Sequence, residues 1–499
     1  MIKTLKNAWR IPELKKKILF TLLIIVLYRL GASIPVPYVD PATFSNTAEA
    51  FGSGILQYLN ILSGDALGKA TLLALGVSPY ITASIVMQLL TIAIPALERL
   101  SKDGDNGRKK ITAITRIVTV ALALVTSIGY AMFLANTEFN GSATGTMLLV
   151  EPNFFQYVVI VSCYVAGAAL VMWMAEKIND HGIGNGISMI LFANVIAGFR
   201  SMAVSIWELA KGKSGIISTN LIENATANEV VNRIVFILLA LFQVALIVGM
   251  IMLIVWMSDA ERRIPIQYAK RVVGRKMYGG QNTNLPLKVN MSGVMPIIFA
   301  NSIVAIPATI ASFTQNVKGD GIWAKIVGGL NTFINGDWKF LESDFMKDAA
   351  KGVFNFQTFV QSFVGFNYNG WIYVVVFLVL LIAFAFFYVA ISFNPIEVAN
   401  NIKNNGGAIP GIRSGRPTTE FIKKVLNRIT LVGALLVAAI AVLPMMINII
   451  TSYFPAIGGL FMAFAFTGSS MMIVVGVALE TVRELEAQMS LRNYKGFLD

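Results

Sequence analysis

Chemistry has few places to begin in this chain. His181 is the only histidine and Cys163 the only cysteine among 499 residues. That leaves no Ser-His or Cys-His nucleophile pair, no His-rich zinc site and no disulfide within the chain. Two nucleotide-like signals fail on spacing. Gly212-Lys213-Ser214 ends like a phosphate-binding loop, but the upstream glycine that motif requires would stand where Trp207 does. GIGNG, Gly182 to Gly186, is not GxGxxG and follows no strand, so its glycines suit a tight turn instead. The chemically dense stretch is ERRIPIQYAKRVVGRK, Glu261 to Lys276, where Arg262, Arg263, Lys270, Arg271, Arg275 and Lys276, continued by Lys288, demand a negatively charged partner.

The elements that must hold that loop are apolar. Hydrophobic residues make up 56% of the chain and charged ones only 13%, outside the range of a soluble globular domain and typical of an integral membrane protein. A bilayer core about 30 Å thick takes roughly 20 apolar residues per helix. Ten stretches meet that standard, near 18–34, 71–95, 111–135, 154–175, 185–207, 233–257, 292–313, 371–393, 429–450 and 456–479. The first follows Lys15-Lys16-Lys17, but Arg29 interrupts it and IPVP stands where a cleavage site should be, so it reads as a retained span rather than a signal peptide. With the N-terminus in the cytosol, nearly three quarters of the 40 Lys and Arg fall on the cytosolic side, as the positive-inside rule requires. Both ends of the chain are then cytosolic, and 314–370 is a long outer loop.

One apolar piece is too short to span. ILQYLNIL, with Ile55, Leu56, Leu59, Ile61 and Leu62, is flanked by Gly52, Gly54, Gly64 and Asp65, and reads as a re-entrant or interfacial segment or a packed surface turn. Thr82, Ser84, Gln88, Asn301 and Ser302 place polar groups at membrane depth, either as glue between helices or facing a cavity. Ionisable groups are nearly absent from mid-span, which argues against a proton-coupled pump or a carrier of charged solutes. Val77 and Ile81, and Ile187 and Leu191, stand at i, i+4, each pair on one helix face. Such faces meet lipid or neighbouring helices, or converge on an axis as a constriction that gates by dewetting; spacing leaves the choice open.

The polar loops between the spans resemble those of the SecY family, channel subunits of the bacterial Sec protein translocase. The resemblance runs through NILSGDALGKATLLALGVSPYITASIVMQLL (60–90), KDGDNGRKKIT (102–112), GIGNGIS (182–188), RRIPIQYAKR (262–271), LPLKVNMSGVMPIIFANSI (285–303), FNPIEVANNIKNNGGAIPGIRSG (393–415) and LNRITLVGAL (426–435). It implies an all-α polytopic membrane protein, with ten transmembrane helices in two inverted five-helix halves around a central hourglass pore. Residues 1–209 would form one half and 210–479 the other, with cytosolic loops at 258–290 and 394–428 and a cytosolic tail at 480–499. The implied pore ring is Val77, Ile81, Ile187, Leu191, Ile298 and Ile473, an aliphatic collar able to close around any polypeptide while offering ions no solvation. The segment from Ile55 to about Lys69 matches the family's plug. The second and seventh spans match the walls of its lateral gate, where Thr82, Gln88, Asn301 and Ser302 would suit a hydrogen-bonded seam.

In the same way the resemblance assigns Arg262, Arg263, Tyr268, Lys270, Arg271 and Arg413 to the docking surface for the SecA motor and the ribosome, whose RNA is a polyanion. Lys15 to Lys17 suit anionic lipid instead. SecE and SecG subunits and secretory and membrane precursor polypeptides complete the implied partners. No cofactor and no catalytic step are expected. The function implied is translocation of unfolded polypeptide across the cytoplasmic membrane and its lateral release into lipid. A secondary transporter of a small solute, which also uses inverted repeats, is the alternative, and a passive scaffold would need neither ring nor plug. Two outer stretches, about 315–370 and 455–464, are longer than the family pattern, and Val77 and Leu191 stand where many of its members have isoleucine.

Overall fold

A computed structural model describes residues 2–39, 63–64, 66–136, 153–210, 229–268, 271–273, 276–278, 282–314, 371–453 and 468–495. Each of the ten predicted spans contains a helix. The helices are α1 (Ile2–Arg10), α2 (Pro12–Gly31), α3 (Ser78–Ala93), α4 (Pro95–Lys102), α5 (Gly104–Asn136), α6 (Phe154–His181), α7 (Gly186–Ala210), α8 (Glu229–Asp259), α9 (Met295–Thr314), α10 (Trp371–Ser392), α11 (Pro395–Asn404), α12 (Arg416–Tyr453) and α13 (Gly468–Lys495). Among the described residues, five are individually long and apolar enough to cross a membrane, or six if the bent pair α3 and α4 is one span.

Span boundaries follow local chemistry. The second predicted span, 71–95, is helical only from Ser78, with Pro79 in the first turn; 71–77 is a run of turns. It ends at Ile94, whose extended backbone is the conformation a following proline imposes, and α4 leaves at 100° to α3. In the tenth predicted span α13 runs from Gly468 to Lys495, so most of the expected tail extends that helix. The GIGNG turn forms as expected. Gly184 takes a positive φ, and Asn179 Oδ1 accepts from the Gly186 amide at 2.7 Å where α7 begins.

Two sets of five helices repeat one packing pattern. In the first, α2 packs on α6 and α7, α3 on α5, α5 on α6 and α6 on α7; in the second, α8 packs on α12 and α13, α9 on α10, α10 on α12 and α12 on α13. Lipid tails are as apolar as leucine, so helices in a bilayer gain little from hydrophobic burial and associate through close packing. Two glycines at corresponding places show this. A Cβ on Gly167 of α6 would lie 2.0 Å from the Leu72 carbonyl oxygen, and one on Gly433 of α12 would lie 2.1 Å from that of Val289. Each brings the fourth helix of its set onto the chain leading into the second. The halves meet where α9 packs on α3 and α5, and again where α7 packs on α8 and α13.

The expectation of an all-helical chain needs one amendment. The loops at 258–290 and 394–428 build a small antiparallel sheet, ordered β4–β1–β5, from β1 (Glu261–Tyr268), β4 (Asn282–Lys288) and β5 (Gly407–Ala408), and β2 (Arg271–Val273) pairs with β3 (Lys276–Tyr278). Ile264 faces Leu285 across the β1–β4 pair, and Tyr268 faces Gly407 across β1–β5. Alternation along β1 buries Ile264 and Ile266 against Leu287, Ala399, Ile402, Ile409 and Ile422. The two loops therefore share a core and form one platform.

Candidate functional site

The six ring candidates come from four helices. Val77 caps α3 and Ile81 lies one turn inside it; Ile187 and Leu191 are one turn apart on α7; Ile298 is on α9 and Ile473 on α13. Five of them are buried and belong to a single apolar cluster, and half-buried Ile187 packs against it. Spacing alone could not show that residues of four helices, two from each set of five, belong to one cluster. The cluster is built of aliphatic, aromatic and methionine side chains, among them Ile190, Val294, Ile297, Phe299 and Met472.

Where α9 meets α3, the hydrogen bonds of Thr82, Gln88 and Ser302 run within their own helices. Thr82 Oγ1 donates to the Ser78 carbonyl at 3.0 Å and Ser302 Oγ to the Ile298 carbonyl at 2.8 Å, each within its own helix. Gln88 Nε2 donates to Ser84 Oγ at 3.3 Å, again on α3. A hydroxyl one turn from a backbone carbonyl finds that acceptor before any across a seam. Asn301 is 3% exposed, with neither side-chain oxygen nor nitrogen hydrogen-bonded.

Ile55, Leu56, Leu59, Ile61 and Leu62 lie outside the described residues, as do Lys270 and the long stretch 315–370. The chain just beyond the first of these is firmly held. Ser63 Oγ accepts from the Leu67 amide at 2.9 Å, Tyr130 donates its hydroxyl to the Leu67 carbonyl at 2.5 Å, and Leu72 N–H donates to the Ile34 carbonyl at 2.8 Å. Cys163 packs partly buried against the same cluster as Tyr130 and Tyr164, the packing role its setting suggested.

On the platform, Arg262 and Arg413 are exposed, and Arg263 is ion-paired with Glu261 at 2.6 Å. Strand alternation sends Arg262 and Arg263 to opposite faces of β1, so these neighbours in sequence do not form one patch. Tyr268 is half-buried over Gly407, where a Cβ would sit 2.9 Å from its ring, and serves the platform's core as well as its surface. Arg271 lies in the β2–β3 hairpin. Lys288, at the end of β4, has its pKa lowered by burial and by the nearby charge of Arg483. Arg483 itself donates to the Ser258 carbonyl at 2.6 Å and to Asp259 at 2.7 Å, tying α13 to the root of the platform.

A bundle of two like-packed five-helix sets, meeting at an aliphatic cluster fed equally by both, is a multi-pass membrane channel of the two-halved type. A family model described as SecY matches residues 71–482. The chain is 41% identical to the protein translocase subunit SecY of Streptomyces galbus and 38% identical to that of Mycobacterium tuberculosis, in both cases over the full length of both chains. Among solved structures it is similar to one described as "The structure of a protein conducting channel", with a TM-score of 0.53 at 16% identity, covering 95% of this chain and 94% of that one. A second is Sec61 in the canine ribosome-channel complex from the endoplasmic reticulum, with a TM-score of 0.51 at 15% identity and the same coverage. This chain belongs to the SecY family. It is a subunit of a protein-conducting channel, and the small-solute transporter alternative falls.

In the sequence Arg29 marks only an interruption of the first span. It donates to the Gly64 carbonyl at 3.3 Å, to the Asn194 carbonyl at 3.1 Å and to that of Ala193. The signal available in the sequence was a lone arginine in an apolar helix, which is expensive unless its donors are satisfied.

Proposed function

We propose that the chain conducts unfolded secretory polypeptide through the collar of Val77, Ile81, Ile187, Leu191, Ile298 and Ile473, and releases transmembrane segments to lipid by parting α3 from α9. The observation that supports this reading is that these residues, from both sets of helices, belong to or pack against one hydrophobic cluster. An aliphatic collar yields to a chain of any sequence and reseals against ions when the chain has gone. The segment 55–69 acts as the plug, residues 1–209 and 210–479 as the two moving halves, and 480–499 extends into the cytosol. The pore is passive, and energy comes from partners. The basic platform lies on the cytosolic side of the cytoplasmic membrane with both termini, where Arg262, Arg263, Tyr268, Lys270, Arg271 and Arg413 meet the SecA motor and the ribosome. Ribosome-bound channels of the same fold support that second partner. SecE and SecG complete the channel, and Lys15 to Lys17 rest on anionic lipid.

The test places a photo-crosslinking amino acid at Ile81 and, separately, at Ile187 in proteoliposomes holding a secretory precursor stalled in transit. Signal-sequence-dependent crosslinks to the precursor are expected from both sites. Their absence, with the precursor shown to be engaged, would remove the pore from this cluster.

A further inference from the structure

The collar's two arms from the first five helices, Val77 with Ile81 and Ile187 with Leu191, belong to separate stretches of chain that meet again at one side chain. The guanidinium of Arg29, in the last turn of α2, donates to the Gly64 carbonyl and to the carbonyls of Ala193 and Asn194. Gly64 begins the held stretch that leads to Val77, and Ala193 and Asn194 follow Leu191 within the next turn of α7. We infer that Arg29 is a positioning residue for the collar, setting the α3 arm against the α7 arm in the closed channel; the inference rests on the collar reading above.

Three observations support it independently of any sequence resemblance. Gly64 has a φ of +66°, and a Cβ there would lie 2.8 and 2.9 Å from the two terminal guanidinium nitrogens and 3.1 Å from the Asn194 Cα, so the backbone leaves room for the arginine and for nothing else. The stretch from Ser63 to Val77 can transmit that position. It is bonded internally from Thr71 Oγ1 to the Ala66 carbonyl, to α5 through Tyr130, and to the chain after α2 through Ala70, whose carbonyl accepts from the Val36 amide at 3.2 Å. The three acceptors named above are carbonyls from two separate stretches of the chain. A planar fork of five N–H donors can bridge both at once, which a lysine ammonium does less well.

The experiment uses the full chain, assembled with its membrane partners in proteoliposomes, and reads resting ion conductance together with the amount of assembled channel. Arg29→Gln should raise resting conductance about tenfold or more, because charge-assisted hydrogen bonds are lost from the closed state only. Arg29→Lys should fall between it and the wild type. Gly64→Ala, which attacks the same contact from the other side, should reproduce the leak, and it carries the test if Arg29→Gln does not assemble. Combining Arg29→Gln with Ile187→Asn should leak less than the product of the two single effects, since both act on one collar. Normal conductance in assembled Arg29→Gln and Gly64→Ala channels, while Ile81→Asn leaks, would overturn the role of Arg29. A silent Ile81→Asn would instead overturn the collar beneath it, and a fully multiplicative double variant would show that Arg29 acts elsewhere.

Discussion

Ile81→Asn tests the collar most directly. Ile81 is 4% exposed among the hydrophobic side chains of that cluster, and an asparagine there buries an amide in apolar surroundings. An unsatisfied buried polar group costs about 1–3 kcal/mol. If the collar is a gate, that cost falls on the closed state and is relieved when water enters, so the conducting population rises by about 5- to 150-fold at 1.4 kcal/mol per factor of ten. The assay is resting single-channel or flux conductance in proteoliposomes without precursor. Ile254→Asn is the control. Ile254 on α8 is fully buried in the same cluster but outside the collar, so the same substitution should lower thermal stability without opening a conductive path. A silent Ile81→Asn channel that still assembles, or equal leakage from Ile254→Asn, would refute the gate and leave ordinary helix packing.

Gly433→Ala and Gly167→Ala each force a methyl within about 2 Å of a backbone carbonyl, so each should cost about 1–3 kcal/mol and lower the melting temperature of the detergent-solubilised channel. Asn301→Leu replaces a buried, unbonded amide by an apolar group of similar size; it should leave the resting bundle as stable or more so and slow the release of transmembrane segments, measured by membrane-insertion kinetics. Arg413→Glu, on the exposed platform, should impair motor-driven export in vesicles more than it reduces the amount of inserted channel, and equal loss of both would point to misfolding. Arg483→Gln breaks a bond to an exposed aspartate and one to the Ser258 carbonyl, and should cost no more than about 1–2 kcal/mol in thermal unfolding.

Properties written within one element were legible in the sequence. Apolar length placed a helix in each of ten stretches, and i, i+4 spacing paired Val77 with Ile81 and Ile187 with Leu191, because hydropathy and helical period depend only on near neighbours. The GIGNG turn and the break at Pro95 were equally local. Whatever joins distant residues was not legible. That residues of four helices join one cluster, that loops more than a hundred residues apart share one sheet, that Thr82 and Ser302 bond within their own helices, and that Arg29 reaches Gly64 and Asn194 were all decided by how the bundle packs. A side chain's sequence neighbours limit which way it can point, but only the tertiary structure supplies what it meets there.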